Sequence, residues 1–279
     1  MPKKISTRFK GGVKMNLFLR EMKANRKSLI IWGICTVLMV AAGMNKFGTI
    51  YTSNKAVNEL IAQMPKSLKA IMGMGALDLS TARGFYGMLF LYLILMAAIH
   101  ALMLGTGVIA KEERDKTSEF LLAKPISRSS IITAKLSAAL LNVLIFNVIT
   151  LVSSLQFVAY YNHGDSETQA ILLLMTGMLI VQLLFLFLGT AIAAISRNPK
   201  HAAPIGTVIL LAAFILSVMI DLNPRLEGLK YLTPFKYFEA KNVLADGAVD
   251  PVFITLSLVL ITLFAGATYH FYNKRDMNG

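Results

Sequence analysis

Groups able to act as acids, bases, nucleophiles or metal ligands are sparse in this chain of 279 residues, so their spacing decides what chemistry is open to it. The four histidines, His100, His163, His201 and His270, stand apart with no HExxH spacing, and no pair shares a helix face to hold a metal. The single cysteine, Cys35, excludes an internal disulfide and a thiolate metal cluster. No GxxxxGK[ST] motif is present to cradle a nucleotide phosphate. Within the second, third and fourth apolar runs lie the polar side chains His100, Asn142, Asn147, Gln156 and Gln182. Those amides either bond across helices or face a polar cavity, and His100 reads as a hydrogen-bonded packing residue. A proton relay or ion-coupled carrier has no visible machinery, because the runs hold no carboxylate or arginine.

Charge is concentrated instead in one stretch, KEERDKTSEFLLAKPISR, from Lys111 to Arg128, with nine charged residues in eighteen. It lies between two of six runs free of Asp, Glu, Lys and Arg: Ser28 to Asn45, Gly84 to Ala110, Leu136 to Gly164, Thr168 to Ser196, His201 to Ile220 and Pro251 to Asn273. Each is about as long as the ~20 residues that cross ~30 Å of hydrocarbon as a helix, or somewhat longer. None alternates with period two, which argues against a barrel. With 56% hydrophobic and 15% charged residues, the chain reads as an all-α integral membrane protein of six spans.

The net charge of +13 is placed asymmetrically. Residues 1–27, 111–135, 197–200 and 274–279 hold nineteen basic and six acidic residues, whereas the other connections hold nine of each sign. That pattern predicts cytoplasmic termini and no nucleic-acid partner. Residues 1–27 and 111–130 are then cytoplasmic, and 46–83 and 221–250 extracellular. The first run reads as an uncleaved anchor, with a cleavable signal ending at Ala41, Ala42 and Gly43 as the alternative.

Met15, Phe18, Leu19 and Met22 fall at i, i+3, i+4 and i+7, with Arg20, Lys23, Arg26 and Lys27 off that stripe. The spacing predicts an amphipathic interfacial helix on the inner leaflet, after which the chain bends into the first span. Val57, Leu60, Ile61 and Met64, then Leu68, Ile71 and Met72, predict two short outer helices stopped by Pro65 and by Gly73 with Gly75. Ser80 or Thr81 is placed to cap the second span, and Ser127 or Ser129 the third. Thr233 with Pro234 opens another helix, and the nearby Phe235, Tyr237 and Phe238 suit a segment packed at the membrane interface. Ala97, Ala101 and Gly105 form a small-residue stripe for close helix packing, and Lys135 snorkels to the headgroups.

A simple turn between antiparallel helices needs only about two to eight residues, so Lys111 to Arg128 is long enough to hold a helix of its own. The second span continues through KEERDK, and Pro125 forces an end near Lys124. Phe120, Leu121 and Leu122 are consecutive and cannot share one helix face. Either one side projects into the cytosol as a docking knob, or the whole helix lies flat in the headgroups.

This stretch resembles the signature of permease subunits of bacterial ATP-binding-cassette exporters of the type-two permease superfamily. MPKSLKAIMGMGALDLSTARGFYG (Met64 to Gly87) and YLTPFKYFEAKNVLADG (Tyr231 to Gly247) are similar to that family's outer segments. Ser118 stands where many members have Gly. The resemblance implies a transport subunit rather than an enzyme, in a bacterial plasma membrane, paired with a second permease copy and a cytoplasmic ATPase. It implies a cytoplasmic coupling helix between spans two and three, with Glu113, Lys116, Thr117, Glu119, Phe120 and Leu121 seated in a cleft of the ATPase. No cofactor is expected on this chain; ATP belongs to the partner. Asn142, Asn147 and Gln182 are candidates for the substrate path. The competing expectations are an accessory or assembly membrane protein that transports nothing, and an ATP-independent carrier or channel.

Overall fold

The computed structural model describes residues 3–51, 63–74, 77–114, 127–196 and 198–274. Eight α-helices run through them: α1 (Lys3–Lys46), α2 (Lys66–Ile71), α3 (Ala82–Arg114), α4 (Arg128–Tyr161), α5 (Thr168–Ile195), α6 (Pro199–Leu222), α7 (Ala240–Asp246) and α8 (Pro251–Lys274). No strand occurs among the described residues. Six of the helices, α1, α3, α4, α5, α6 and α8, are long and apolar enough to cross a membrane, and each overlaps one of the six uncharged runs. A single turn of π-helix, Phe47–Tyr51, extends α1.

The second and third spans begin where local hydrogen bonding dictates. Ahead of α3, the Thr81 hydroxyl accepts from the Gly84 amide at 3.1 Å, while Ser80 instead donates to Asp78. Ahead of α4, the Ser127 hydroxyl accepts from the Ser130 amide at 3.3 Å. These bonds satisfy donors that a helix start leaves without partners. Gly73, at φ +69°, stops α2 in a conformation that costs other residues more.

Close helix contact follows from the small residues. Ala97 and Ala101 are fully buried, and a Cβ on Gly105 would lie 2.2 Å from the Leu186 carbonyl oxygen of α5. Gly189 reciprocates, its absent Cβ falling 2.7 Å from the Leu102 carbonyl oxygen. Backbone therefore meets backbone along α3 and α5. With α4 they are the most enclosed spans, whereas α1, α6 and α8 are enclosed least. These outer helices leave Ile30, Ile34, Val208, Ile215, Val259 and Leu263 exposed, a surface suited to hydrocarbon.

Three elements differ from the reading of the sequence. Residues 15–22 are not a separate interfacial helix, because α1 continues unbroken from Lys3 into the first span. No proline interrupts it, and Lys, Arg, Glu, Met and Leu all propagate a helix. Met15 and Leu19 are exposed, as a lipid-facing stripe requires, while Leu17 packs against Ile131 and Ala134 of α4. Thr233 and Pro234 open only a three-residue 3₁₀ turn, Pro234–Lys236, and the Thr233 hydroxyl donates instead to the Ala213 carbonyl of α6 at 2.8 Å. The aromatic residues after it are core rather than interface: Phe235 contacts Phe185 and Phe214, and Phe238 fills the space above Gly177. Lastly, Lys135 does not snorkel. It is 0% exposed, and its ammonium donates to the Val108 carbonyl of α3 at 2.6 Å.

Candidate functional site

The long charged stretch hangs between the end of α3 and the start of α4, and α3 reaches Arg114 without a break. Lys116, Thr117, Glu119, Phe120 and Leu121 lie outside the described residues; of Glu113 only the helical backbone is described. What the structure does describe is how both ends of the stretch are mounted.

At the upstream mount, α1, α3 and α4 meet around buried charges. Glu21 of α1 is 0% exposed, and its carboxylate lies 3.9 Å from the Lys111 ammonium of α3. Neither carboxylate oxygen has a hydrogen-bond partner among the described residues. One helix turn earlier in α3, Val108 takes the Lys135 hydrogen bond from α4. A buried charge is tolerated when paired, so the ion pair and this bond fix the last turns of α3 against both neighbours.

The downstream mount is tied to α8. Arg128 donates to the Asn273 carbonyl at 3.2 Å, and the Asn273 side chain donates to the Ser129 hydroxyl at 3.2 Å. One turn further on, the Thr133 and Tyr269 hydroxyls are 2.9 Å apart. The described residues on either side of the stretch are thus bonded to α1, α4 and α8.

The polar residues of the spans divide into two groups. Asn147 of α4 donates to the Gln182 side-chain carbonyl of α5 at 3.1 Å and to the Met175 carbonyl at 3.3 Å. The Gln182 amide nitrogen is buried and has no hydrogen-bond partner among the described residues. Asn142 is five residues before Asn147, about 140° round the helix, and turns toward α1. It donates to the Ala138 carbonyl and contacts the Met22 sulfur. The three amides thus do not meet on one surface of this chain. His100 is held by aromatic contact, not by its Nδ1, which has no hydrogen-bond partner among the described residues; its ring stacks on Phe146 at 4.7 Å and tilts against Trp32 at 5.7 Å. No group of three His, Cys, Asp or Glu suited to a metal occurs among the described residues.

Sequence reasoning passed over Glu21. The available signal is that it is the only acid among residues 1–27, with nine bases around it, and sits one turn after Leu17. It also counted the outer connections as neutral when taken together, without seeing the ion pairs inside 221–250. There Lys236 reaches Asp221 at 2.6 Å and Glu239 at 3.0 Å, and Lys241 reaches the same two carboxylates at 2.7 and 3.1 Å.

Six helices long and apolar enough to cross a membrane define a polytopic integral membrane protein. Residues 15–277 match the profile of the ABC-2 family transporter protein, and the chain belongs to that family. A comparison with curated proteins finds no significant match.

Proposed function

We propose that this chain is the membrane-spanning subunit of an ATP-driven exporter, acting as a pair with a second permease copy and driven by a separate cytoplasmic ATP-binding-cassette ATPase. Family membership supports the transport role. The observation that carries the mechanical part is the double mounting of the Lys111 to Arg128 stretch: Glu21 and Lys135 brace α3 upstream, and Asn273 ties α4 downstream. On this reading both termini lie in the cytoplasm of a bacterial plasma membrane, a placement supported by the basic residues gathered on the terminus-bearing side. The chain is one permease domain that carries no nucleotide itself.

Glu113, Lys116, Thr117, Glu119, Phe120 and Leu121 supply the ATPase contact. ATP binding closes the ATPase pair, the connector moves as a rigid body, and the path between the two permeases opens outward. This is a coupling free energy between a nucleotide site and a substrate site on different chains. Asn142, Asn147 and Gln182 supply polar groups to that path, so apolar replacements there change substrate choice more than thermal stability.

The test is association. Phe120→Ala and Glu119→Lys should weaken co-purification with the ATPase while membrane insertion and melting temperature stay at wild-type values. Retained association and transport in both variants overturns the reading.

A further inference from the structure

At the end of the bundle away from the termini, α2, α3, α6 and the folded-back chain before α8 enclose a cavity of about 560 Å³. That volume is in the range of roughly 300 to 1,000 Å³ typical of small-molecule sites. One wall is apolar, from Phe90, Leu91 and Ile94 of α3. These residues belong to the second span, so the wall continues toward the depth at which acyl chains lie. Another wall is ionic, from Asp221 of α6 with Lys236, Glu239 and Lys241 of the chain before α8. Lys69 of α2 also lines the cavity and is engaged in a contact of its own.

Two lysines against two carboxylates make the ionic wall neutral, so it offers no excess charge to an ion of either sign. What it leaves is one open group of each kind. Both lysines contact Asp221 at Oδ1, Lys236 at 2.6 Å and Lys241 at 2.7 Å, and Oδ2 has no partner among the described residues. An ammonium has three donors. Lys236 directs its own at Asp221 and at both oxygens of Glu239, which occupies it fully. Lys241 makes two contacts, to Asp221 at 2.7 Å and to Glu239 at 3.1 Å, which leaves one donor. Burial pushes the Lys241 ammonium toward deprotonation, but the charges of Glu239 and Asp221 outweigh it and hold the group above its ordinary value, so it stays charged. The open acceptor and the open donor sit on side chains already in contact, 22% and 32% exposed, so one small head reaches both. An anion satisfies the donor alone and a cation the acceptor alone, and either brings a net charge that nothing balances. An ammonium carried beside an anionic group satisfies both and leaves the wall neutral.

We propose that this cavity binds a zwitterionic lipid with a primary ammonium, the ammonium on Asp221 Oδ2, the anionic group on Lys241 and the chain along Phe90, Leu91 and Ile94. Two charge-assisted hydrogen bonds of opposite polarity fix the head, and the apolar wall keeps water from the chain. Binding requires no motor subunit, so this inference and the ATP-driven reading succeed or fail separately.

Native mass spectrometry of the full chain in neutral detergent tests it, with four amphiphiles supplied equally. Dioleoyl phosphatidylethanolamine carries both groups, dioleoyl phosphatidylglycerol only the anion and oleylamine only the ammonium, while dioleoyl phosphatidylcholine is zwitterionic without an N–H to donate. One equivalent of the ethanolamine lipid should be retained about tenfold more tightly than any of the other three, the equivalent of roughly one charge-assisted hydrogen bond. Glycerophosphoethanolamine, the head without chains, should not displace it. The charge variants should turn the preference in opposite directions, which a purely structural role of either residue would not do. Asp221→Asn leaves the wall one positive charge in excess and should favour the glycerol lipid, whereas Lys241→Gln leaves one negative charge in excess and should favour oleylamine. Ala245→Trp fills the cavity from an exposed lining position, leaves every charge in place and should weaken retention of the ethanolamine lipid about tenfold. Melting temperatures read on the same samples separate lost binding from lost folding, and Ala245→Trp decides the matter if the charge variants are unstable. Equal retention of the ethanolamine lipid and any other, displacement by the free head, or an unchanged preference in the folded variants overturns the proposal.

Discussion

Lys111→Ala removes the described ionic partner of a carboxylate that is fully buried and without described hydrogen bonds. At 3.9 Å the pair attracts by about 4 kcal/mol if the effective dielectric constant is ~20. Lys111 is 27% exposed, so solvent already screens part of this, and a loss of about 2–3 kcal/mol is the reasonable expectation. Glu21→Gln behaves differently, because it removes both the attraction and the burden of burying a charge; its effect should stay within about 1 kcal/mol. The double variant should therefore be more stable than Lys111→Ala alone, a non-additivity that a double-mutant cycle reads directly. Reversible unfolding in mixed micelles, titrated with dodecyl sulfate, supplies the three differences. If Lys111→Ala costs no more than Glu21→Gln and the double variant shows no recovery, the Glu21–Lys111 contact contributes nothing to stability. The upstream mount would then rest on the Lys135 bond.

Further outcomes follow from the packing and from the far side. Gly105→Leu places side-chain atoms where a Cβ alone would already be 2.2 Å from the Leu186 oxygen, so α3 and α5 must separate; a loss of at least about 1–3 kcal/mol, read as a lower melting temperature, is expected. Gln182→Leu strips Asn147 of one acceptor, and the path role predicts a changed substrate range in a transport assay with a smaller change in melting temperature; an unchanged range with a loss of about 1–2 kcal/mol would return the amide pair to packing. Lys241 is raised above its ordinary value of 10.5 by the adjacent carboxylates, so its stabilising contribution is complete below pH 10.5 and lost as pH rises through the higher folded-state value. Wild type should thus lose more stability than Lys241→Met on alkaline titration through that range. Asp78 is held below its ordinary value by hydrogen bonds from the Ser80 hydroxyl and amide. Its contribution to the turn before α3 is present above pH 3.8 and lost as pH falls through the lower folded-state value, a difference that Ser80→Ala should diminish.

The spans were legible because a run of ~20 uncharged residues has few alternatives in water or in lipid. The Ala97, Ala101 and Gly105 stripe and the caps at Thr81 and Ser127 were legible for a similar reason: each follows from spacing within one helix or one turn. What spacing does not contain is the partner. Lys135 near a span end looks like a snorkelling lysine until α3 brings the Val108 carbonyl to it from 27 positions earlier. Glu21 finds Lys111 ninety residues away, and Asn273 finds Arg128 at a separation of 145. The aromatic cluster after Thr233 looked interfacial because its composition suits an interface; only the glycine gap at Gly177 shows why Phe238 goes inside. The bend expected after residue 22 had no breaker residue behind it, and local propensity prevailed.

The central claim is that force reaches this chain through the Lys111 to Arg128 stretch from a separate nucleotide-hydrolysing subunit. It is tested most directly by placing a photoactivatable crosslinking residue at position 120 in the full-length chain and illuminating intact cells. The account predicts a covalent adduct with an ATP-binding-cassette subunit, formed on the cytoplasmic side and absent when the crosslinker is moved to the exposed lipid-facing position of Leu263. Adducts with lipid alone, or labelling of position 120 from outside the cell, would contradict it.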